Sequence, residues 1–125
     1  MFRDPLSAAL EVLEFKHLPF MPKRAYWIFD FCIDGIRGNH AHKSLRQLFV
    51  LIKGSIQIDV KDEAKVKSFL LDEKSDYLLL EAGLWRVLRN PSPDAVLMVI
   101  VDQEYSEDDY IRNWEEFLEW RKNFV

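Results

Sequence analysis

The sequence predicts an all-β fold, a sandwich or barrel of short antiparallel strands followed by a C-terminal helix. From residue 24 onward, short runs rich in β-branched and aromatic residues alternate with turn signals such as Gly54 and Asn90-Pro91. Near the end of the chain, apolar residues recur at helical spacing instead. The 125 residues are enough for one domain with a buried core and too few for two.

The predicted strands are runs bounded by turn residues, at 25–33, 47–53, 55–61, 65–71, 77–80, 84–89 and 95–102. Within 55–61, Ile56, Ile58 and Val60 alternate with polar residues, as a half-buried strand requires. The run 95–101 is apolar throughout, which predicts a central strand covered on both faces.

The predicted helix covers about 107–121. Ser106 can cap it, with Asp109 three residues later, and Ile111, Trp114 and Leu118 then share one face. The segment 7–15 is ambiguous, because its residue propensities favour a helix whereas its apolar content favours a strand.

Composition excludes several classes of protein. Hydrophobic residues make up 49% of the chain and aromatic residues 14%, which excludes disorder. The single Cys32 lies in an apolar run, which predicts a buried thiol in a reducing compartment. We expect a cytoplasmic protein without membrane contact, because the chain lacks a signal peptide and any membrane-spanning run. The net charge of −4 and the lack of a helix-turn-helix or zinc pattern argue against nucleic-acid binding.

Positive charge is concentrated between residues 23 and 53, where it suits an anionic ligand. The basic residues there are Lys23, Arg24, Arg37, Lys43, Arg46 and Lys53. Between 102 and 119 the balance reverses, and carboxylates surround the single Arg112. Ordinary solvation of the surface is the alternative explanation.

Two stretches nearly match the metal-binding motifs of cupins. Residues 37–43, Arg-Gly-Asn-His-Ala-His-Lys, fit the pattern His-x-His, four residues, Glu, six residues, Gly, except that Gln47 replaces the glutamate. Residues 81–90 fit the second motif, but Arg86 stands where its histidine belongs. A guanidinium stays protonated and repels a cation, so the sequence predicts a cupin with neither metal nor cofactor.

The histidines are candidates for acid–base catalysis. His40 and His42 are two residues apart, so on a strand they point to the same face, toward the barrel interior. Imidazoles free of metal titrate near neutrality and can move protons. Tyr26 is either an inward-facing proton relay or a core residue. Trp85 and Arg86 are expected to face the same cavity.

The stretch from Leu18 to Phe117 resembles the WxcM-like sugar 3,4-ketoisomerases, metal-free cupins that act on dTDP-4-keto-6-deoxyglucose. The segments that carry the resemblance are 18–20, 23–30, 37–43, Gln47 with Gly54, Trp85 and 105–112. It implies a jelly roll, a homodimer that exchanges an N-terminal strand at about 8–16, and a nucleotide across the barrel mouth. It places the enzyme in deoxyamino-sugar biosynthesis, such as that of lipopolysaccharide O-antigen.

The resemblance also implies roles for individual residues. His40 is expected to take the proton from C3 of the sugar and to help return one to C4, with His42 in support. Tyr26 is expected to relay the hydroxyl proton between O3 and O4, and Arg37 to stabilise the enediolate. The residues expected to bind substrate are Arg24, Lys43, Gln47, Trp85 and Arg86, of which the arginines suit phosphates.

Two departures from the family bear on the stereochemistry at C4. Arg86 stands where many members carry histidine, and Leu6 lies where many carry arginine in an Asp-x-Arg-Gly segment. The loss of an imidazole removes one candidate acid, which favours a product that keeps the gluco configuration. Two alternatives are a sugar-nucleotide-binding cupin without catalysis and a metal-dependent cupin oxygenase with a third ligand elsewhere.

Overall fold

The computed structural model describes residues 13–32, 36–75 and 77–124. Within these ranges the chain forms nine strands, a C-terminal helix and two short 3-10 turns. They are β1 (Arg24–Ile28), β2 (Arg37–His42), β3 (Gln47–Lys53), β4 (Ser55–Lys61), β5 (Val66–Asp72), β6 (Leu78–Leu80), β7 (Trp85–Arg89), β8 (Val96–Val101), β9 (Tyr110–Ile111) and α1 (Trp114–Arg121). The all-β prediction with a C-terminal helix is confirmed.

The strands form two antiparallel sheets. A four-stranded sheet has the order β1-β8-β3-β6, and a five-stranded sheet has the order β5-β4-β7-β2-β9. The main core lies between the sheets, because every second residue of each strand points inward. Ile56 and Ile58 of β4 meet Leu97 and Val99 of β8 there, and all four are fully buried.

Both outer faces carry a further apolar layer. Leu48, Val50 and Ile100 are covered by Phe20, so the prediction that 95–101 is central and apolar on both faces is confirmed. On the five-stranded sheet, α1 lays Phe117 over the outward-facing residues of β2 and β7.

The predicted strand bounds agree best where turn signals are strong. β3 and β4 match the prediction, with the turn between them at Gly54. β1 ends at Ile28 instead of 33, and Asp30 has a φ of 55°, which ends the extended backbone.

The predicted helix start was wrong. Glu107–Asp109 form a 3-10 turn without a side-chain bond from Ser106, and α1 begins only at Trp114. The reason is tertiary, because Tyr110–Ile111 pair with β2 and cannot be helical at the same time. Asn113 is the actual cap, since its side chain accepts a hydrogen bond from the backbone N–H of Glu116.

Two further predictions concern the start of the chain and the cysteine. The expected strand at about 8–16 falls largely outside the described residues, and Phe15–His17 form a 3-10 turn, so the strand cannot include residues 15 and 16. Cys32 is exposed, contrary to the prediction of a buried thiol, because it lies beyond the end of β1. Within the described ranges, no helix combines the length and apolar character needed to cross a membrane.

Candidate active site

A cavity of about 820 Å³ opens between the two sheets where β1 faces β2 and β9. Its residues come from both sheets and from the segment after β1. Its polar lining includes Arg24, Tyr26, Arg37, His40, Arg86 and Arg112. Four arginines in one cavity form a strongly positive environment, as the distribution of basic residues predicted for Arg24 and Arg37.

The two histidines are in direct contact. His40 and His42 lie on the inner face of β2, and their Nε2 atoms are 3.2 Å apart. His40 lines the cavity, whereas His42 is 4% exposed and lies behind it. The prediction that the pair shares one inward face is confirmed by this contact.

Asp109 orients the pair from the far end of the chain. Its Oδ2 lies 2.9 Å from His42 Nδ1, and its Oδ1 accepts hydrogen bonds from the Ser44 backbone and hydroxyl. Because a carboxylate only accepts, Nδ1 of His42 carries the proton and its Nε2 is an acceptor. His40 then donates through Nε2, which leaves the lone pair of the His40 ring on Nδ1.

The cavity holds both imidazoles neutral. Burial, followed by the charge of Arg86, lowers the pKa of His40 to about 2 and that of His42 to about 4. Burial raises the pKa of Asp109, but the hydrogen bonds from Ser44 and His42 outweigh it and keep this pKa below its usual value. A neutral imidazole backed by a carboxylate is suited to accept a proton.

Tyr26 faces the cavity from the opposite sheet. It lies on β1, and its hydroxyl oxygen accepts a hydrogen bond of 3.0 Å from Gln47 Nε2. Burial raises the pKa of Tyr26, so the phenol keeps its proton at neutral pH. Its hydroxyl group can therefore donate to an oxygen in the cavity.

Arg86 is the most buried cation of the cavity. It is 3% exposed, and its Nε and Nη1 atoms have no hydrogen-bond partner among the described residues. It fits against β2 because Gly38, with a φ of 69°, has no Cβ that would overlap Nη1. Arg86 lines the cavity, so its positive charge favours an anionic oxygen there.

Other predicted binding residues lie away from the cavity. Trp85 precedes Arg86 on β7, so its side chain points to the outer face, where it packs on Trp114 and Phe117. Lys43 is exposed beyond β2, and Gln47 is buried behind Tyr26. The expectation that Trp85 and Arg86 share the cavity conflicts with the alternation of a strand.

Sequence reasoning missed Tyr110 and Arg112, which line the cavity, and Asp109, which lies behind it against His42. The sequence pattern indicates a helix cap that includes Asp109, and it places Arg112 in an acidic stretch. Tyr110 lies 5.0 Å from the His40 ring and 4.4 Å from the His42 ring, between ring centroids, and Arg112 covers its other side at 4.1 Å. The sequence signal that could have identified these residues is the segment 105–112, because it resembles the family. It contains no motif that indicates a catalytic or binding role for any of its residues.

The residues at the cupin ligand positions do not fit a metal ion. Gln47 offers an amide whose nitrogen points at Tyr26, and Arg86 adds a buried positive charge beside His40. Within the described ranges, no group of three or more histidine, cysteine or acidic side chains is placed to hold an ion. In the part of the chain that the structure describes, the donor set therefore has two imidazoles and no third ligand of the required kind.

Comparison with known proteins identifies the family of this chain. The family described as "FdtA: WxcM-like, C-terminal" matches residues 1–122. A TDP-4-oxo-6-deoxy-alpha-D-glucose-3,4-oxoisomerase from Aneurinibacillus thermoaerophilus is 33% identical over 117 residues, which cover 94% of this chain and 84% of that protein.

Solved structures are similar over nearly the whole chain. A 3,4-ketoisomerase from Helicobacter canadensis is 38% identical with a TM-score of 0.87, covering 93% of this chain and 88% of that one. A variant of the 3,4-ketoisomerase QdtA from Thermoanaerobacterium thermosaccharolyticum, in complex with TDP-4-keto-6-deoxyglucose, is 32% identical with a TM-score of 0.87, covering 94% and 87%. The chain belongs to the FdtA family of WxcM-like proteins.

Proposed function

We propose that this protein is a sugar-nucleotide 3,4-ketoisomerase that converts dTDP-4-keto-6-deoxy-D-glucose to a dTDP-3-keto-6-deoxyhexose. The observation that carries the proposal is the cavity itself, where a neutral imidazole on one sheet and a protonated phenol on the other face a space surrounded by arginines. The similarity to 3,4-ketoisomerases that act on TDP-linked keto sugars supports the substrate class.

The reaction moves a ketone from C4 to C3 without an external oxidant or reductant. His40 takes the proton from C3, which is acidic because it is alpha to the C4 ketone, and the electron pair forms a C3–C4 double bond. The hydroxyl of Tyr26 protonates O4 and then receives the proton of O3. A proton that has exchanged with solvent then reaches C4 and gives the 3-ketone, while His40 releases the C3 proton to solvent. One proton is lost and one is gained, so the reaction needs no oxidant or reductant.

His42 and Asp109 form a relay behind His40 that delocalises the positive charge gained by His40. When His40 accepts a proton on Nδ1, its Nε2 proton can pass to His42 across 3.2 Å. Asp109 then stabilises the imidazolium of His42 through the 2.9 Å hydrogen bond. Such a positioned base contributes about 10²- to 10⁴-fold to the rate, and Arg86 adds stabilisation of the enediolate.

Substrate binding strengthens the base. The charges of Arg86, Arg112 and Arg37 contribute to the low pKa of His40 in the free protein. A diphosphate brings negative charge against these guanidinium groups and reduces the potential that disfavours protonation. We expect the pKa of His40 to be higher in the complex than in the free enzyme.

The nucleotide has a suitable place at the rim of the cavity. Trp27 and Phe29 line it and are 55% and 59% exposed, so their rings are available to stack on a base. Arg24 from one sheet and Arg37 and Arg112 from the side of the other sheet also line the cavity and suit the diphosphate.

The stereochemistry at C4 depends on the face from which the proton arrives. The hydrogens at C3 and C4 lie on opposite faces of a gluco-configured ring, so return by His40 to the face it attacked gives the galacto product. We propose the gluco product, because Arg86 replaces an imidazole that could act as an acid beside His40. A substrate deuterated at C3 should then retain no label at C4, whereas label at C4 of a galacto product contradicts the proposal.

We propose further that the protein is a cytoplasmic homodimer that exchanges N-terminal strands and serves deoxyamino-sugar biosynthesis, including that of lipopolysaccharide O-antigen. The position of β1 at the end of the order β1-β8-β3-β6, within the described residues, supports strand addition at its edge. Sedimentation of the full chain should give twice the mass of 14.9 kDa.

The function is tested by incubating the protein with dTDP-4-keto-6-deoxyglucose in D₂O and following the sugar ring by NMR. The expected result is a 3-keto product with deuterium in the ring. If neither a 3-keto product nor ring deuterium is found, while dTDP still raises the melting temperature, the isomerase is contradicted. The protein is then a sugar-nucleotide-binding protein instead.

A further inference from the structure

Gln47 occupies the position at which the metal-binding cupin motif has its carboxylate, yet it is not part of the cavity wall. Its side chain is 1% exposed. It stands at the start of β3, opposite Val101 of β8, while Tyr26 of β1 stands opposite Val99 of the same strand. The amide therefore reaches diagonally across β8, over the inner face of the sheet, to the phenol.

The contact has a defined direction. Gln47 Nε2 donates to the Tyr26 hydroxyl at 3.0 Å, while Gln47 Oε1 is buried without a hydrogen-bond partner among the described residues. A side chain that only filled space would gain more from an apolar residue, because an unsatisfied buried carbonyl is costly. The single satisfied atom of Gln47 is the one that holds Tyr26.

We infer that Gln47 is a positioning residue for Tyr26: by donating to the phenol oxygen, it directs the Tyr26 O–H into the cavity. This inference rests on the proposed isomerase, in which Tyr26 moves a proton between O3 and O4. A glutamate at this position, as in the metal-binding motif, accepts instead and turns the hydroxyl proton away from the sugar. An amide at this position can donate to the phenol oxygen, which a carboxylate cannot do.

This positioning role differs from the expected role of Gln47 in substrate binding. A substrate contact lies in the cavity and affects KM or the Kd for nucleotide. A positioning residue acts through Tyr26 and affects kcat, because a misdirected proton relay impairs the chemical step alone. The two roles are therefore separable by kinetics.

The experiment compares Gln47→Glu and Gln47→Met with Gln57→Met, a matched change at a glutamine of β4 whose side chain bonds Asp59. We expect kcat to fall about 10- to 100-fold in both Gln47 variants. The Kd for dTDP should stay within about twofold, and the control should match the wild type. Wild-type kcat in Gln47→Glu overturns the inference, as does a raised Kd with unchanged kcat.

A second readout is independent of turnover. In protein carrying tyrosine labelled with ¹³C at the ζ carbon, Tyr26→Phe identifies the Tyr26 resonance among those of the four tyrosines. We expect Gln47→Met to shift this resonance and to raise its titration midpoint, because the hydrogen bond from Gln47 lowers the pKa of Tyr26. An unchanged Tyr26 resonance overturns the inference even if activity falls.

The two readouts separate the inference from the function on which it rests. If wild-type protein does not turn over the keto sugar, the proposed isomerase fails while the Tyr26 resonance still decides the contact. If Gln47→Met does not fold, Gln47→Glu supplies both measurements, since it keeps the shape of the side chain.

Discussion

The two faces of the ladder formed by β2 and β7 differ in composition and in what covers them. The inner face carries His40, His42 and Arg86, all polar and all at the cavity or directly behind it. The outer face carries Ala41 and Trp85, which are covered by α1. Neighbouring residues of one strand, such as Trp85 and Arg86, therefore differ completely in environment.

This difference shows how a small domain separates chemistry from stability. The inner face reduces the stability of the fold, because its buried imidazoles are held neutral and Arg86 has donors without partners among the described residues. The outer face offsets it with aromatic burial, including a Trp85–Trp114 contact with ring centroids 5.3 Å apart. Substitutions on the two faces should accordingly change different measurements.

The largest effect is expected from His40→Asn on the inner face. Loss of the base should reduce kcat by about 10²- to 10⁴-fold, because Asn cannot accept the C3 proton. The Kd for dTDP, measured by calorimetry, should change little. An unimpaired kcat would remove His40 from the mechanism.

Phe117→Ala tests the outer face. Phe117 is fully buried between α1 and the sheet, so truncation should lower the free energy of unfolding by about 3–5 kcal/mol, as seen in urea denaturation. The folded fraction should keep its kcat. A kcat that falls as far as in His40→Asn would contradict the separation of the two faces.

Asp109→Asn is expected to lower kcat by about 100-fold at most, since it removes the negative charge behind His42 without removing the base. Asn can still accept from Nδ1 but no longer stabilises an imidazolium with its charge. The pH profile of kcat should shift, in addition to the decrease in kcat itself. As a control, Asp108→Asn changes an exposed neighbour in the same turn and should leave kcat unchanged.

The smallest effect is the dependence of stability on pH. Below about pH 6.5 the unfolded chain protonates its histidines, whereas burial and Arg86 keep the pKa of His42 at about 4 and that of His40 lower still in the folded state. The unfolded state then binds more protons, so stability falls as pH decreases from 6.5 toward 5. Each histidine contributes at most about 1.4 kcal/mol per pH unit.

Denaturation of His42→Asn across this range should show a weaker pH dependence than the wild type. His17→Asn, at an exposed histidine, is the control and should keep the full dependence. Equal slopes in all three proteins would mean that the buried pair is charged in the folded state.

Much of the site was predictable because strands have a period of two. His40 and His42 had to share a face, and the substitutions Gln47 and Arg86 excluded a metal set on chemical grounds. The same rule also showed that Trp85 and Arg86 point apart, and the expectation that both face the cavity overlooked it.

The sequence by itself determined the all-β class, the inward imidazole pair and the loss of the metal ligands, since each follows from local spacing and residue chemistry. Only the tertiary structure decided that Asp109, 67 residues from His42, lies within hydrogen-bonding distance of its ring and that the Gln47 amide bonds Tyr26. Pairing between distant strands sets such contacts, and it also turned Tyr110–Ile111 from a predicted helix into β9. Local propensity cannot report which strands meet, because that is fixed by burial of the whole core.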